Sequence, residues 1–242
     1  MLDSPFIKDN NEFIPFGTEH LVVIFFFALF GWALIYFTKK YANKERQIRI
    51  GNLFALLLCL TIVIWTLIKI SIDDFDVKKD LPLHLCYFTV LMAPLLSFTR
   101  RGIYFEIFFF WVMSGTVQAI FTPEMRQSFP HYTFIKFWFG HAGAVIFMLY
   151  ATFVYGMRPT IMSVFKSFVA LQVFAVIVYL INISIGSNYF YVNDKPPVSS
   201  MLDLLGDWPT YIFMAELIVI PYFLLIYLPF YLTRKKEEKV ST

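Results

Sequence analysis

The sequence has little charge and almost no cysteine. Asp, Glu, Lys and Arg make up 15% of the 242 residues, whereas soluble domains carry roughly 25%. Hydrophobic residues reach 59%, and phenylalanine alone occurs 30 times. Strand-like alternation is also lacking, and the apolar runs are about twice as long as a membrane barrel strand requires. These absences exclude an ordinary soluble domain and predict an all-α, polytopic membrane protein.

The shortage of cysteine and histidine limits the chemistry. The two cysteines are Cys59, predicted in the inner half of a span, and Cys86, predicted near the outer surface. A disulfide needs Cα atoms within about 7 Å, so we expect Cys86 to be a free thiol. Four histidines spread over distant segments do not match zinc-ligand spacing, so we expect no metal and no cofactor.

Other familiar signals are missing as well. The first sixteen residues contain Asp3, Asp9 and Glu12 against Lys8, which does not fit a cleavable signal peptide. We see neither an internal repeat nor a low-complexity segment, so residues 1–242 are expected to form one domain. The net charge of +3 requires no nucleic-acid partner, because the basic residues are accounted for by membrane topology.

Seven apolar runs are long enough to cross a bilayer, at roughly 20 residues each. They are predicted near 17–38, 51–71, 81–99, 102–121, 134–155, 161–185 and 208–232. The sequence therefore predicts a bundle of seven transmembrane helices.

Lysine and arginine are distributed unequally between the two sets of connections. One set, which includes the segment after the last span, contains thirteen of the twenty basic residues. The other set is richer in acidic residues, including Asp73, Asp74, Asp76, Asp80, Glu124, Asp194, Asp203 and Asp207. The positive-inside rule then predicts an outside N-terminus and a cytoplasmic C-terminus. We expect a multi-pass protein of the cell membrane, namely a bacterial plasma membrane.

Given this topology, every predicted span contributes a polar or ionisable group to one layer near the outer surface. The members are Glu19, His20, Lys69, Cys86, Gln118, His141, Asn182 and Glu216. Ionisable groups inside a membrane are costly unless they have a partner or a function. The layer therefore predicts a polar pocket that opens toward the outside or the outer leaflet.

The most informative motif is Leu-Pro-Leu-His-Leu-Cys at 81–86. We expect Asp80 to cap this helix and Pro82 to occupy its first turn, which places Cys86 just beyond the reach of the helix dipole. Residues two apart on a helix do not face each other, so a base for Cys86 should come from another helix. His141 is the best candidate. His84 would then orient substrate, stabilise an oxyanion or serve a second proton transfer.

Several residues of the polar layer have alternative structural explanations. Lys69 could be a solvated anchor, and Gln118 and Asn182 could hold helices together. Glu216 could form an ion pair with Lys69 instead of serving catalysis. The outer connection at 186–207, with Asn188 and Tyr189, could be a lid over a site or an ordered connector. As substrate-binding candidates we name Asn182, Gln118, Glu216, Lys69, Asn188 and Tyr189.

Several motifs together resemble a known family. They are residues 81–86, 129–131 (Phe-Pro-His), 140–141 (Gly-His), 156–160 (Gly-Met-Arg-Pro-Thr), 182 with 186–189 (Asn with Gly-Ser-Asn-Tyr), 195–196 (Lys-Pro) and 204–209 (Leu-Leu-Gly-Asp-Trp-Pro). In this order they resemble the bacterial YwaF-like integral membrane family, which is itself similar to an animal transmembrane acyltransferase that remodels ether phospholipids. The resemblance implies that Cys86 accepts an acyl group and that His141 or His84 is its base.

The leading hypothesis is therefore an acyltransferase or transacylase that acts on membrane phospholipid esters through a cysteine thioester. An outward-facing receptor or transporter-like protein without catalysis fits the same architecture. A structural partner in a larger membrane complex is a third alternative. Labelling of Cys86 by thioester-forming lipid probes would favour the enzyme.

Overall fold

The computed structural model describes residues 6–7, 12–123, 125–196 and 201–240. For residues 234–240 it describes the backbone alone. Seven helices account for most of this part of the chain. They are α1 (Thr18–Tyr41), α2 (Lys44–Ser71), α3 (Leu85–Thr99), α4 (Gly102–Phe121), α5 (Tyr132–Phe153), α6 (Ile161–Ile185) and α7 (Thr210–Val240). Apart from one isolated bridge between Glu12 and Gln127, the described ranges contain no β-structure. The all-helical prediction is confirmed.

Six of these helices are long and apolar enough to cross a membrane, and α3 is the exception. With 15 residues, α3 rises about 22 Å at 1.5 Å per residue. The predicted run at 81–99 therefore yields a helix shorter than a full span, so a count of seven spans stays a prediction. The orientation of the termini likewise stays a prediction.

The late start of α3 has a local cause. A residue before proline disfavours helical geometry, and Leu81 stands before Pro82. The hydroxyl of Tyr189 accepts a hydrogen bond from the Leu81 N–H at 2.9 Å and donates one to the Val77 carbonyl at 2.7 Å. The expectation that Asp80 caps α3 with Pro82 in its first turn is therefore wrong. The Asp80 carboxylate instead accepts from the Asp76 N–H within a preceding turn.

Helix α5 is the centre of the bundle and packs against α1, α2, α3 and α4. In its most apolar window 72% of the residues are buried, against 17–39% in the other long helices. Small residues permit this close packing. A Cβ at Gly143 would overlap the side chain of Leu58 on α2, and a Cβ on Gly31 of α1 would lie 2.8 Å from Ile146.

Helix α4 contains a π-helical segment at Val112–Thr116. Such segments are rare and are found frequently at functional sites. This one contacts α3 and α5, the helices that contain Cys86 and His141. The sequence analysis did not predict it.

The outward faces of α1, α6 and α7 carry large apolar side chains. Phe25 and Leu217 are each 70% exposed, and Val169 is 60% exposed. Contiguous apolar surface of this kind marks an interaction with a partner or a membrane. In a chain with six spanning-length helices, lipid explains it.

Candidate active site

Cys86 lies in the first turn of α3. His84 is the N-cap residue, so Leu85 and Cys86 are the first two helical positions. The expectation that Cys86 lies beyond the reach of the helix dipole is therefore wrong. At this position the partial positive charge of the helix N-terminus favours a thiolate. The correction follows directly from the later start of the helix.

The backbone N–H groups of this first turn are open. His84 offers no side-chain cap. The N–H groups of Leu85 and Tyr87 have no acceptor in the described part of the chain, and that of Cys86 faces its own sulfur. Helix N-termini with free N–H groups bind anionic oxygens. An oxyanion formed next to the thiol would find donors already in place.

The Cys86 side chain is half-buried and unpaired with sulfur; both cysteines are free thiols, as predicted. The hydroxyl of Thr116, in the π-helical segment of α4, lies beside the thiol. That hydroxyl is buried and has no geometrically sound hydrogen bond among the described residues. Cys86 makes no hydrogen bond to His84 or His141. The thiol thus lies in a buried polar environment whose hydrogen-bonding capacity is not fully used by the described residues.

His141 is 6% exposed and held by its own helix. Its Nδ1 lies 2.8 Å from the Phe137 carbonyl oxygen. A carbonyl can only accept, so Nδ1 carries the proton and the Nε2 of the neutral ring keeps a lone pair. The ring stacks on Phe137 at a centroid distance of 4.1 Å and meets the edge of Tyr87 at 5.9 Å. This orientation leaves His141 with a basic nitrogen beside the residue that follows Cys86.

His84 has the complementary tautomer. The Phe190 N–H donates to His84 Nδ1 at 3.4 Å, so the proton of the neutral ring is on Nε2. The ring packs between Tyr189 and Tyr191, with centroid distances of 5.4 and 5.3 Å. Within the described ranges, nothing bonds to Nε2 of His141, which is an acceptor, or to Nε2 of His84, which is a donor.

The connection between α6 and α7 covers His84 with an ordered turn. Its start folds into a 3-10 turn at Tyr189–Tyr191, in which Phe190 and Tyr191 both have positive φ angles of 58° and 53°. Bulky residues rarely adopt this left-handed conformation, so the turn is strained. The Tyr191 carbonyl accepts from the Tyr211 hydroxyl at 2.6 Å. Residues 197–200 of the predicted lid or connector lie outside the described ranges.

Asn182 and Asn188 hold this connection together. The Asn182 amide, 1% exposed, donates to the Tyr189 carbonyl and to Asn193 and accepts from Ser187 and Tyr189. Asn188 bonds to the backbone of Asp194 on both its donor and acceptor sides. Their substrate-binding roles, with that of Tyr189, stay predictions, since these contacts already use both amides for structure.

The remaining candidates are not drawn into contact with Cys86. Glu216 accepts a hydrogen bond of 2.6 Å from Gln172, between α6 and α7. Lys69 pairs with Asp74 at 2.6 Å and with Asp80 at 3.4 Å. The Lys69–Glu216 ion pair, one of the alternatives for Glu216, is therefore not formed. Gln118 is exposed near the C-terminal end of α4.

Three residues of the cluster were missed by sequence reasoning: Thr116, Tyr87 and Lys136. The Lys136 ammonium lies over the ring of Tyr87 at 4.7 Å and over that of Trp65 at 5.4 Å. In the sequence Lys136 lies near the start of a predicted span, where only the aromatic residues around it could have indicated its position.

These elements define the class: a polytopic helical membrane protein with a cysteine–histidine cluster at one end of its bundle. In the described ranges no group of three or more His, Cys, Asp or Glu side chains is arranged to hold a metal ion.

Residues 15–227 match the TMEM164 family, and the chain belongs to that family. An uncharacterized protein of Treponema pallidum (strain Nichols) is 26% identical over 130 residues. That alignment covers 50% of each chain, so the chain spans about half the length of this relative. No solved structure matches the chain. The narrower YwaF-like assignment stays a prediction.

Proposed function

We propose that the protein is a membrane acyltransferase or transacylase that moves a fatty acyl chain between lipids through a thioester on Cys86. The observation that carries the proposal is the location of Cys86 in the open first turn of α3. There the helix N-terminus favours both a thiolate and the oxyanion that its attack creates. The resemblance to an animal transmembrane acyltransferase supports the same reaction class.

In the first half-reaction, His141 Nε2 accepts the Cys86 thiol proton and the sulfur attacks an ester carbonyl carbon. The carbonyl oxygen becomes an oxyanion, which the N–H groups of Cys86 and Tyr87 would stabilise. The carbon–oxygen bond then breaks. The leaving lipid oxygen takes the proton from the His141 imidazolium, and the acyl chain remains on sulfur.

In the second half-reaction, His141 Nε2 accepts the proton of the acceptor hydroxyl, whose oxygen attacks the thioester carbonyl. The carbon–sulfur bond breaks, and the thiolate regains the proton from His141. No electrons enter or leave, so no redox partner is required. Cys86 and His141 make no direct hydrogen bond, so they must approach each other when substrate binds. Catalytic hydrogen bonds are often longer in the free enzyme than in its complex with substrate.

Further features suit a lipid substrate. The site lies where α3 begins, near the end of the bundle, and glycerol esters lie near the membrane boundary. We take this to be the outer boundary of a bacterial plasma membrane, because the basic residues favour the opposite face. The surrounding walls are aromatic: Phe88, Phe174 and Phe190 pack together at centroid distances of 4.9 and 5.6 Å.

The test uses the purified protein in liposomes that contain a phospholipid with an isotopically labelled acyl chain. Intact-protein mass spectrometry should detect one added acyl group, removable by hydroxylamine, on the natural chain. Cys59→Ala, which removes the other free thiol, should keep this modification, whereas Cys86→Ala should lose it together with lipid transfer. Retention of transfer by Cys86→Ala would overturn the proposal.

A further inference from the structure

Lys136 is a partly buried cation close to the N-terminal end of α3. It lies near the start of α5, where its ammonium covers the faces of Tyr87 and Trp65. Tyr87 directly follows Cys86, and its ring meets that of His141. The same ring packs against Gly140, where a Cβ would lie at an ordinary contact distance of 3.5 Å from it. The lysine therefore contacts Tyr87, whose ring meets His141 and which is adjacent to Cys86 in the sequence.

Its charge has no bonded counterion. Within the described residues, Lys136 forms neither an ion pair nor a hydrogen bond. The carboxylate that acts on it electrostatically, Asp80, already pairs with Lys69 at 3.4 Å and accepts from a backbone N–H. The second partner of Lys69, Asp74, is 66% exposed, so water screens its charge.

The space in front of the ammonium is small and partly enclosed. A cavity of about 20 Å³ lies among Trp65, Asp80, Tyr87 and Lys136. A volume of this size holds about one water-sized oxygen. It thus suits a single oxygen of a larger anion whose other atoms remain outside, rather than a whole small molecule.

We propose that Lys136 is the residue that binds the phosphate of the phospholipid substrate. This inference rests on the proposed function. In such a lipid only the glycerol carbons separate the phosphate from the ester carbonyls. An oxygen held at Lys136 would therefore keep a carbonyl within reach of the first turn of α3. Lysine binds phosphate as a point charge, and the aromatic faces fix its position.

Binding is measured in the Cys86→Ala background, so that no acyl transfer can occur. The protein in detergent is titrated with a diacyl phosphatidic acid and, separately, with the matching diacylglycerol, and native mass spectrometry counts the bound lipid. We expect Lys136→Met to weaken phosphatidic acid binding by about tenfold or more, because a charge-assisted contact is lost. Diacylglycerol binding should not change, and Lys136→Arg should restore part of the loss.

Lys78→Met is the matched control, because Lys78 is an exposed lysine in the connection between α2 and α3 that does not line the cavity. It should change phosphatidic acid binding less than twofold. Equal losses in both variants would mean a general surface potential and would overturn the proposal. Competition by inorganic phosphate at millimolar concentration would also overturn it, because the site would then take the free anion. Lys136-dependent binding without any acyl transfer in the natural chain would reject the proposed function alone.

Discussion

The two ends of α3 carry polar clusters of opposite character. At its C-terminal end the Ser97 hydroxyl donates to the Asn52 amide oxygen at 2.8 Å and lies 2.9 Å from the Tyr155 hydroxyl. Ser97 is fully buried, and its bonds tie α3 to α2 and to the end of α5. At the N-terminal end the buried Thr116 hydroxyl lies beside the Cys86 thiol and has no hydrogen-bond partner that meets normal geometry in the described chain.

This difference separates structural polarity from functional polarity. Buried polar groups that satisfy one another stabilise a bundle, and each removal is costly. Buried groups without partners cost stability, so they persist where a ligand or a reaction uses them. The contrast supports a functional site at the N-terminal end of α3, because it depends on which polar groups lack partners and not on the type of any one residue.

The largest effect is expected from His141→Gln. Loss of a general base slows acyl transfer by about 10²–10⁴-fold. The folded state should change little, because among the described residues the only side-chain hydrogen bond of His141 is to a carbonyl of its own helix. Transfer of labelled acyl chains in liposomes measures the first quantity, and the thermal unfolding midpoint in detergent measures the second.

His20→Gln is the matched control for that prediction. His20 is fully buried, and its two ring nitrogens contact the Phe16 N–H and the Ile120 carbonyl, both at 2.8 Å. It is a saturated histidine, so its replacement should lower the unfolding midpoint and leave the activity of the remaining folded protein unchanged. A reversed pattern, with His20 needed for transfer and His141 dispensable, would contradict the assignment of the open end as the site.

The next largest effect concerns the packing near the C-terminal end of α3, where Tyr155 bonds to Ser97. Gly51→Ala places a Cβ on α2 that overlaps the Tyr155 hydroxyl and lies 2.8 Å from the Tyr150 ring. Overpacking of this kind costs about 1–3 kcal/mol of unfolding free energy, so the unfolding midpoint should fall.

Gly115→Ala provides the comparison for Gly51→Ala, because a Cβ at Gly115 meets no atom within 4 Å. It should leave the midpoint nearly unchanged. Equal destabilisation by the two substitutions would show that the packing around Tyr155 is not tight.

The sequence was sufficient for the helical membrane class and for six spans. Long apolar runs determine these features almost alone, since the bilayer requires both helix and length. The run at 81–99 was misread at its start, because the apolar pattern continues through Leu81 and Leu83 while the backbone there is held by Tyr189, more than a hundred residues later. No local pattern encodes such a contact. The error then moved Cys86 out of the first turn.

The polar layer was only partly predictable for a related reason. Depth along a span can be counted, so Cys86, His141 and His84 were named. The direction in which a side chain points depends on packing, so Glu216 and Lys69 were grouped with the site although Gln172 and Asp74 bind them. The π-helical segment that brings Thr116 to the thiol leaves no recognised sequence signal.

A pair of hydroxyl substitutions sharpens the comparison of the two ends further. Ser97→Ala leaves Asn52 and Tyr155 without their shared partner and should cost about 1–2 kcal/mol of unfolding free energy. Thr116→Val removes a hydroxyl that bonds to nothing in the described chain, so stability should change little or rise. Unfolding midpoints of the two variants in one detergent give the comparison directly.

Activity should separate the same pair in the opposite sense. Thr116→Val should slow acyl transfer, because Thr116 is the polar neighbour of the thiol, while Ser97→Ala should retain the transfer rate per folded molecule. If Ser97→Ala slowed transfer as much as Thr116→Val, the two ends of α3 would not be functionally distinct.

The smallest effect concerns the turn that leads into the open end. A hydrogen bond from the Lys78 backbone N–H holds the pKa of the exposed Asp76 carboxyl below its usual value, and nearby lysines add to this. A depressed folded-state pKa means that the carboxylate stabilises the turn above the ordinary aspartate pKa of about 4. This contribution is lost as the pH falls through the lower folded value. Protection of the Lys78 amide from hydrogen exchange, corrected for intrinsic rates, should therefore decrease below about pH 4.

Asp76→Asn is the control for this prediction, because it keeps an acceptor oxygen without the charge. In this variant the protection of the Lys78 amide should be weaker at neutral pH and independent of pH. If the natural chain showed no pH dependence, the Asp76 charge would contribute nothing to the turn, and the order before His84 would come from the Tyr189 contacts alone.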